Sequence, residues 1–170
     1  AAGVGLVFFS GDKLLGGPQS GIVVGQTELV RRLERHPLAR AVRIDKMSLA
    51  GLTATVLHYL KQEAEADVPI WTMISAGEQG IKDRVTRWKN QLSLPGEVIS
   101  GRSAIGGGSL PGETLPTWVL ALSCEGDAGG PERVMRRLRE ADPPVIARIE
   151  DDRVILDPRT VMPEEEEALV

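Results

Sequence analysis

A short apolar run that ends in a lysine-bearing, glycine-rich turn constrains this chain more than any other stretch: Val4 to Phe9, then Ser10-Gly11-Asp12-Lys13-Leu14-Leu15-Gly16-Gly17-Pro18-Gln19. The run is β-prone and apolar throughout, the pattern expected of a strand buried on both faces. Gly11, Gly16 and Gly17 permit tight backbone geometry just beyond it. Lys13 is therefore expected at the end of a strand. Apolar walls there would strip solvent from its charged form and favour the neutral amine, which can attack a carbonyl to form a Schiff base. On spacing alone, a lysine beside a strand is equally an ordinary solvated surface charge.

The bulk properties set the class of molecule. At 170 residues, 42% hydrophobic and 26% charged, the chain can bury one core with a small subdomain. A single cysteine, Cys124, excludes an internal disulfide and suits a reducing compartment; as a residue type it reads as a buried, inert thiol. The first residues, Ala1-Ala2-Gly3-Val4-Gly5, lack the basic start of a signal peptide, and no apolar run reaches the roughly 20 residues that cross a bilayer. A cytoplasmic location with no membrane partner is expected. Formal net charge is −4, against a strong general affinity for polyanions, so any nucleic-acid contact would need a local patch. Arg31, Arg32, Arg35, Arg40 and Arg43 cluster in sequence, a pattern that also fits a solvated helix face.

Along the chain, Gly21 to Val24 reads as a second strand. Thr27 is the expected cap of a helix that ends at Pro37, with Val30 and Leu33 facing inward. Asp45 or Ser48 caps the clearest helix, whose Leu49, Leu52, Val56 and Leu60 recur at spacings of three and four as far as Ala66. His58 lies on it as a packing or surface residue, and no histidine or cysteine cluster implies a metal. From Gly80 a further amphipathic helix carries Ile81, Val85, Trp88 and Leu92 on one stripe. Glu97 to Ser100 and Thr117 to Ser123 read as strands around the Gly106-Gly107-Gly108 loop, which is either a wide turn or a source of amides for an anion. Pro131 opens a helix with Val134 and Leu138 on its buried side. A hairpin is expected over Val145 to Glu150 and Arg153 to Asp157, turning at Asp151-Asp152, before an acidic helix start at Pro163.

Three ordered stretches carry a resemblance. Phe9-Ser10-Gly11-Asp12-Lys13-Leu14-Leu15-Gly16-Gly17-Pro18-Gln19, His36-Pro37-Leu38-Ala39-Arg40-Ala41-Val42-Arg43-Ile44-Asp45-Lys46 and Ser103-Ala104-Ile105-Gly106-Gly107-Gly108-Ser109-Leu110-Pro111-Gly112 resemble segments of the bacterial selenocysteine synthases, the L-seryl-tRNA(Sec) selenium transferases. The resemblance covers nearly the whole chain but begins in mid-family, as the C-terminal portion of a longer enzyme would. It implies an α/β chain, part of a pyridoxal-phosphate enzyme of the aspartate-aminotransferase type (fold type I). Residues 1–68 would close the large cofactor domain with a linking helix, and 69–170 would form a small α+β domain.

By the same resemblance, Lys13 would carry pyridoxal 5'-phosphate, with Asp12 tuning or orienting the amine and Ser10 at the cofactor phosphate. Arg40 and Arg43 would hold selenophosphate or the group it delivers, since a dianion is costly to desolvate without fixed cations. In the wider fold, an arginine shortly before a terminal acidic helix often holds a substrate carboxylate, which makes Arg159 a candidate; an ordinary strand-end arginine is the other reading. The implied reaction converts seryl-tRNA(Sec) to selenocysteinyl-tRNA(Sec) through an aminoacrylyl-tRNA, in an enzyme that self-associates into dimers or larger rings. Such a piece would be inactive alone, because the other cofactor ligands lie upstream in this fold.

Three other readings remain. Related pyridoxal-phosphate ammonia lyases share the lysine segment loosely but would be expected to lack the arginine pair or the G-G-G-S-L-P-G loop. Ser10-Gly11-Asp12-Lys13 satisfies S-x-x-K of penicillin-binding proteins, yet no S-D-N or K-T-G follows. A non-catalytic assembly domain, whose exposed apolar surface favours self-association, is the non-enzyme reading.

Overall fold

The computed structural model describes residues 3–92, 95–106, 109–124 and 129–169. It divides into two units, Ala1–Thr72 and Met73–Val170. In the first, β1 (Leu6–Ser10) pairs antiparallel with β2 (Gly21–Gly25), from Leu6 opposite Gly25 to Ser10 opposite Gly21. These two strands form a sheet of their own. The expected burial of the first strand on both faces does not occur, and Phe8 is 65% exposed. A two-stranded ribbon has only edges, and its apolar side chains find full cover nowhere among the described residues; Leu6, Ile22 and Val23 are half-buried.

The helices that follow correct two further expectations. In α1 (Thr27–Glu34) the cap position belongs to Gln26, which is extended and offers no side-chain bond, so Thr27 is the first helical residue. Leu33 is exposed, while Leu29 and Val30 are half-buried. Pro37 does not continue α1; it begins α2 (Pro37–Ala41), where its fixed φ and missing N–H cost nothing in the first turn. Asp45 caps α3 (Lys46–Leu60) as expected, accepting from the amides of Met47 at 2.8 Å and Ser48 at 3.0 Å.

That helix stops before Ala66, because Gln62 turns the chain with a φ of 62° ahead of α4 (Ala64–Asp67) and α5 (Pro69–Ser75). Its Leu49, Val56 and Leu60 are exposed, whereas Leu52, Thr55, His58 and Tyr59 are half-buried. Apolar residues surround α3, so their spacing marks a helix without choosing the face that packs.

The second unit is built on a four-stranded antiparallel sheet. Its strands are β3 (Gly96–Ala104), β4 (Thr114–Leu122), β5 (Arg148–Glu150) and β6 (Arg153–Leu156), in the order β3-β4-β6-β5. Before the sheet comes α6 (Glu78–Gln91), and between β4 and β5 comes α7 (Gly130–Glu140). The stripe on α6 is buried as its spacing requires: Ile81 is 1% exposed, and Val85 and Trp88 are fully buried. Val85 and Trp88 join Leu120, Leu122, Met135, Val154 and Leu156 in one core, with Val134 and Leu138 packed against it.

Opposite that core, Val119, Ala121 and Ile155 form a second buried cluster. The β5–β6 hairpin turns at Asp151 and Asp152, both left-handed with φ of 48° and 56°, as a two-residue turn matching strand twist demands. Pro158–Thr160 and Pro163–Glu165 are 3-10 turns, and α8 (Glu166–Leu169) follows. Gly107 and Gly108 of the glycine loop lie outside the described residues.

A candidate active site at the Lys13 turn

The turn between β1 and β2 is closed by its own backbone. The amide of Gly11 donates to Ser20 O at 2.8 Å, Gly17 to Gly11 O at 2.8 Å, and Gly16 to Lys13 O at 2.9 Å. Two glycines are required by geometry. A Cβ on Gly11 would stand 2.2 Å from Ser20 Oγ, and one on Gly16, whose φ is 76°, would stand 2.4 Å from Val68 Cγ1. From the far side, the hydroxyl of Tyr59 reaches the carbonyls of Leu15 at 2.8 Å and Leu14 at 3.2 Å, while Trp71 Nε1 donates to that hydroxyl at 2.6 Å.

Lys13 thus sits at the end of the strand, on a turn fastened at several points. Its side chain is 47% exposed and bonds Asp12 Oδ2 at 2.6 Å, so the apolar walls expected around it are not present among the described residues. Asp12 is held below its ordinary pKa, first by the bond from Lys13 and then by its own backbone amide. Ser10 ends β1, exposed, with no hydrogen-bond partner for its hydroxyl among the described residues. The arrangement offers an accessible primary amine aligned by a carboxylate, with a free hydroxyl three residues earlier.

Arg40 lies on α2 and Arg43 just beyond it. Both are exposed, and neither makes a hydrogen bond or ion pair among the described residues, so both guanidiniums are available to an anion. Arg159 is placed differently from the expected carboxylate binder. It is 5% exposed, with Nη1 donating to Met73 O at 2.7 Å and Ala76 O at 3.1 Å and Nη2 donating to Pro116 O at 2.7 Å. Both Nη groups are committed to carbonyls of its own unit, while Nε is buried with no hydrogen-bond partner among the described residues.

Sequence reasoning missed Tyr59 and Trp71, because the aromatic pair acquires meaning only when folding brings residues 14 and 15 to it. It also missed that His58 Nδ1, buried and without a hydrogen-bond partner, lies 3.5 Å from Glu63 Oε2 and 3.6 Å from Asp67 Oδ2. These are ligand-type atoms within 4.8 Å of one another, on exposed carboxylates and a half-buried ring. A spacing of five and four residues across a helix break carries no metal-site signature. A groove of about 420 Å³ lined by Tyr59, Gln62, Ala64, Glu65 and Trp71 does not include Lys13. No described helix is long and apolar enough to cross a membrane.

The family model described as SelA, L-seryl-tRNA selenium transferase, matches residues 1–162. The chain belongs to this family. Among curated L-seryl-tRNA(Sec) selenium transferases, that of Carboxydothermus hydrogenoformans is 41% identical over 170 residues, covering 97% of this chain. Those of Aquifex aeolicus and Solidesulfovibrio magneticus are 41% and 42% identical, covering 96% and 97%. The chain spans only 36 to 37% of the length of these three transferases. Among solved structures, a D-glucosaminate-6-phosphate ammonia-lyase shares the fold, with a TM-score of 0.62 at 20% identity over 98% of this chain and 42% of that one.

Proposed function

We propose that this chain forms part of a pyridoxal-phosphate-dependent enzyme that converts seryl-tRNA(Sec) to selenocysteinyl-tRNA(Sec) with selenophosphate as selenium donor. The observation that carries the reading is Lys13: the family's lysine segment here presents an accessible amine on a turn fixed by its own amides and by Tyr59. An aldehyde cofactor needs an amine that is reachable, and the Lys13 side chain is 47% exposed, with Asp12 as its hydrogen-bond partner. With the free hydroxyl of Ser10, the residues present fit the anchoring end of pyridoxal phosphate. When bound, the cofactor supplies the electron sink for bond breaking at the α-carbon of the seryl group.

Each residue then has a physical task. Lys13 anchors the cofactor and carries a proton at Nζ, Asp12 aligns that nitrogen through its hydrogen bond, and Ser10 donates to the phosphate. Arg40 and Arg43 take the selenophosphate dianion with forked, charge-assisted bonds. Arg159 braces its own unit through backbone carbonyls. Residues 1–68 and 69–170 are proposed as the end of a large cofactor domain and a small α+β domain. Self-association into dimers or rings fits the exposed Phe8, Phe9, Leu49 and Leu60, and the working location is the cytoplasm. The ammonia-lyase alternative has fold likeness behind it but no residue of this chain that favours it.

The test is borohydride trapping of pyridoxal phosphate followed by peptide mass analysis, on a transferase of full family length carrying this sequence and on the 170-residue chain beside it. Label on Lys13 of the full-length enzyme is expected, with no selenocysteinyl-tRNA formed by the chain alone. An active full-length enzyme with Lys13 unlabelled would overturn the assignment.

A further inference from the structure

We infer that Tyr59, oriented by Trp71, is a positioning residue for Lys13: the two aromatic side chains form a directed hydrogen-bond relay that fixes the backbone on which the reactive amine is carried. This inference rests on the Lys13 reading above. An indole N–H can only donate, so at 2.6 Å Trp71 Nε1 occupies a lone pair of the Tyr59 oxygen. The phenol has one proton, and with that lone pair taken it must point toward the turn, where Leu15 O lies at 2.8 Å and Leu14 O at 3.2 Å. Accepting from the indole also polarises the phenol and strengthens its own donation.

Three consecutive carbonyls, beginning with that of the amine-bearing residue itself, are engaged. Lys13 O accepts from the amide of Gly16, and Leu14 O and Leu15 O accept from Tyr59. Around the same segment, Gly16 lies against Val68 and Ile70 so closely that even a methyl group would collide. Among the described residues the Lys13 side chain, 47% exposed, is tied only to its neighbour Asp12. Its direction depends on the Asp12 bond and on its backbone, and the backbone segment that follows it is held from residues 59 and 71. One oxygen serves three polar groups, so removing it frees two carbonyls and an indole at once.

Tyr59→Phe in the full-length transferase tests this. Hydrogen exchange on the cofactor-free enzyme is expected to quicken at the amides of Gly16 and Gly17 while α3 amides and the denaturation midpoint hold near wild type. Trapping of pyridoxal phosphate at Lys13 should slow and kcat should fall about 10- to 100-fold, the scale of a small misplacement of a reacting group, with KM for seryl-tRNA unchanged. Trp71→Phe, which keeps the phenol but frees its orientation, is expected to fall between the two.

Unchanged exchange at Gly16 and Gly17 together with unchanged trapping at Lys13 would overturn the inference. So would a uniform rise in exchange across the unit with an unaltered ratio of trapping to folded protein, which is what a merely structural tyrosine would give. If Tyr59→Phe does not fold, the same two measurements on Trp71→Phe decide. Wild-type enzyme that is active yet unlabelled at Lys13 would defeat the parent reading instead, so the two failures are distinguishable.

Discussion

Arg159 Nη2 donates to the carbonyl of Pro116 at 2.7 Å, fastening the 3-10 turn after β6 to β4. Its Nη1 gathers Met73 O and Ala76 O, and its own amide donates to Asp157 Oδ1 at 3.0 Å. Asp157 in turn accepts from Ser103 Oγ at 2.6 Å and Thr117 Oγ1 at 3.1 Å, so β3, β4 and the turn after β6 meet at one buried polar knot. Burial pushes the guanidinium's pKa down, while Asp157 and Glu78 act in the opposite sense. A charge so far from water persists because carbonyl oxygens replace the solvent.

Arg159→Met is therefore expected to destabilise the second unit by about 2–4 kcal/mol, since several buried carbonyls lose their donors together. Denaturant unfolding measures the loss. Covalent labelling of Lys13 in the folded full-length variant should be unaffected. A stable variant with selectively weakened substrate binding would return Arg159 to the role of carboxylate binder.

The Asp12–Lys13 pair carries a pH signature. Asp12 has a folded-state pKa below its ordinary value of 3.8, chiefly through the bond from Lys13. Whatever the pair contributes is thus present above the unfolded-state value and lost as pH falls through the lower, folded one. Carbon NMR titration should give Asp12 a midpoint below 3.8 in the wild type and a return toward it in Lys13→Gln. Equal midpoints in the two proteins would mean that the bond is not formed in solution.

Gly16→Ala should be costly even though alanine is small. The left-handed φ of 76° disfavours any side chain, and the new methyl would meet Val68 Cγ1 at 2.4 Å and Ile70 Cγ2 at 2.9 Å. A loss of about 1–3 kcal/mol is expected from strain and overpacking. Thermal unfolding checks it, and the trapping yield at Lys13 should drop with it.

Arg40→Ala combined with Arg43→Ala should leave stability within about 0.5 kcal/mol of wild type, because neither side chain is engaged within the described residues. Binding of a phosphate-type anion by the full-length enzyme should weaken about 10- to 100-fold, as expected when charge-assisted bonds are lost. Calorimetric titration with inorganic phosphate reads this directly. Undiminished affinity would remove the pair from the anion site.

Elements governed by local chemistry were legible in the chain itself. Asp45 caps α3 because a carboxylate three residues ahead of Ser48 satisfies amides that no helix can pair internally. Ile81, Val85 and Trp88 are buried because their spacing leaves α6 one apolar face. Asp151 and Asp152 turn a hairpin because residues of this type tolerate the left-handed region. Thr27 failed as a cap for the complementary reason: a good capping residue does not compel the chain to start its helix there, and the backbone began the helix one residue earlier, with Gln26 extended.

The sequence by itself determined the strand that leads into the Lys13 turn, the glycines of that turn, the order of the three motifs and the family to which they point. Only the tertiary structure decided that the Nη groups of Arg159 bind backbone carbonyls, that Tyr59 and Trp71 hold the Lys13 turn, and that Val7, Phe8 and Phe9 of β1 and Leu49, Val56 and Leu60 of α3 stay exposed. The difference is one of range. Caps, turns and amphipathic stripes are settled by neighbours within a few residues, whereas burial and the partner of a polar side chain are settled by groups tens of residues away. Tyr59 lies 44 residues from Leu15, and Arg159 lies 43 from Pro116.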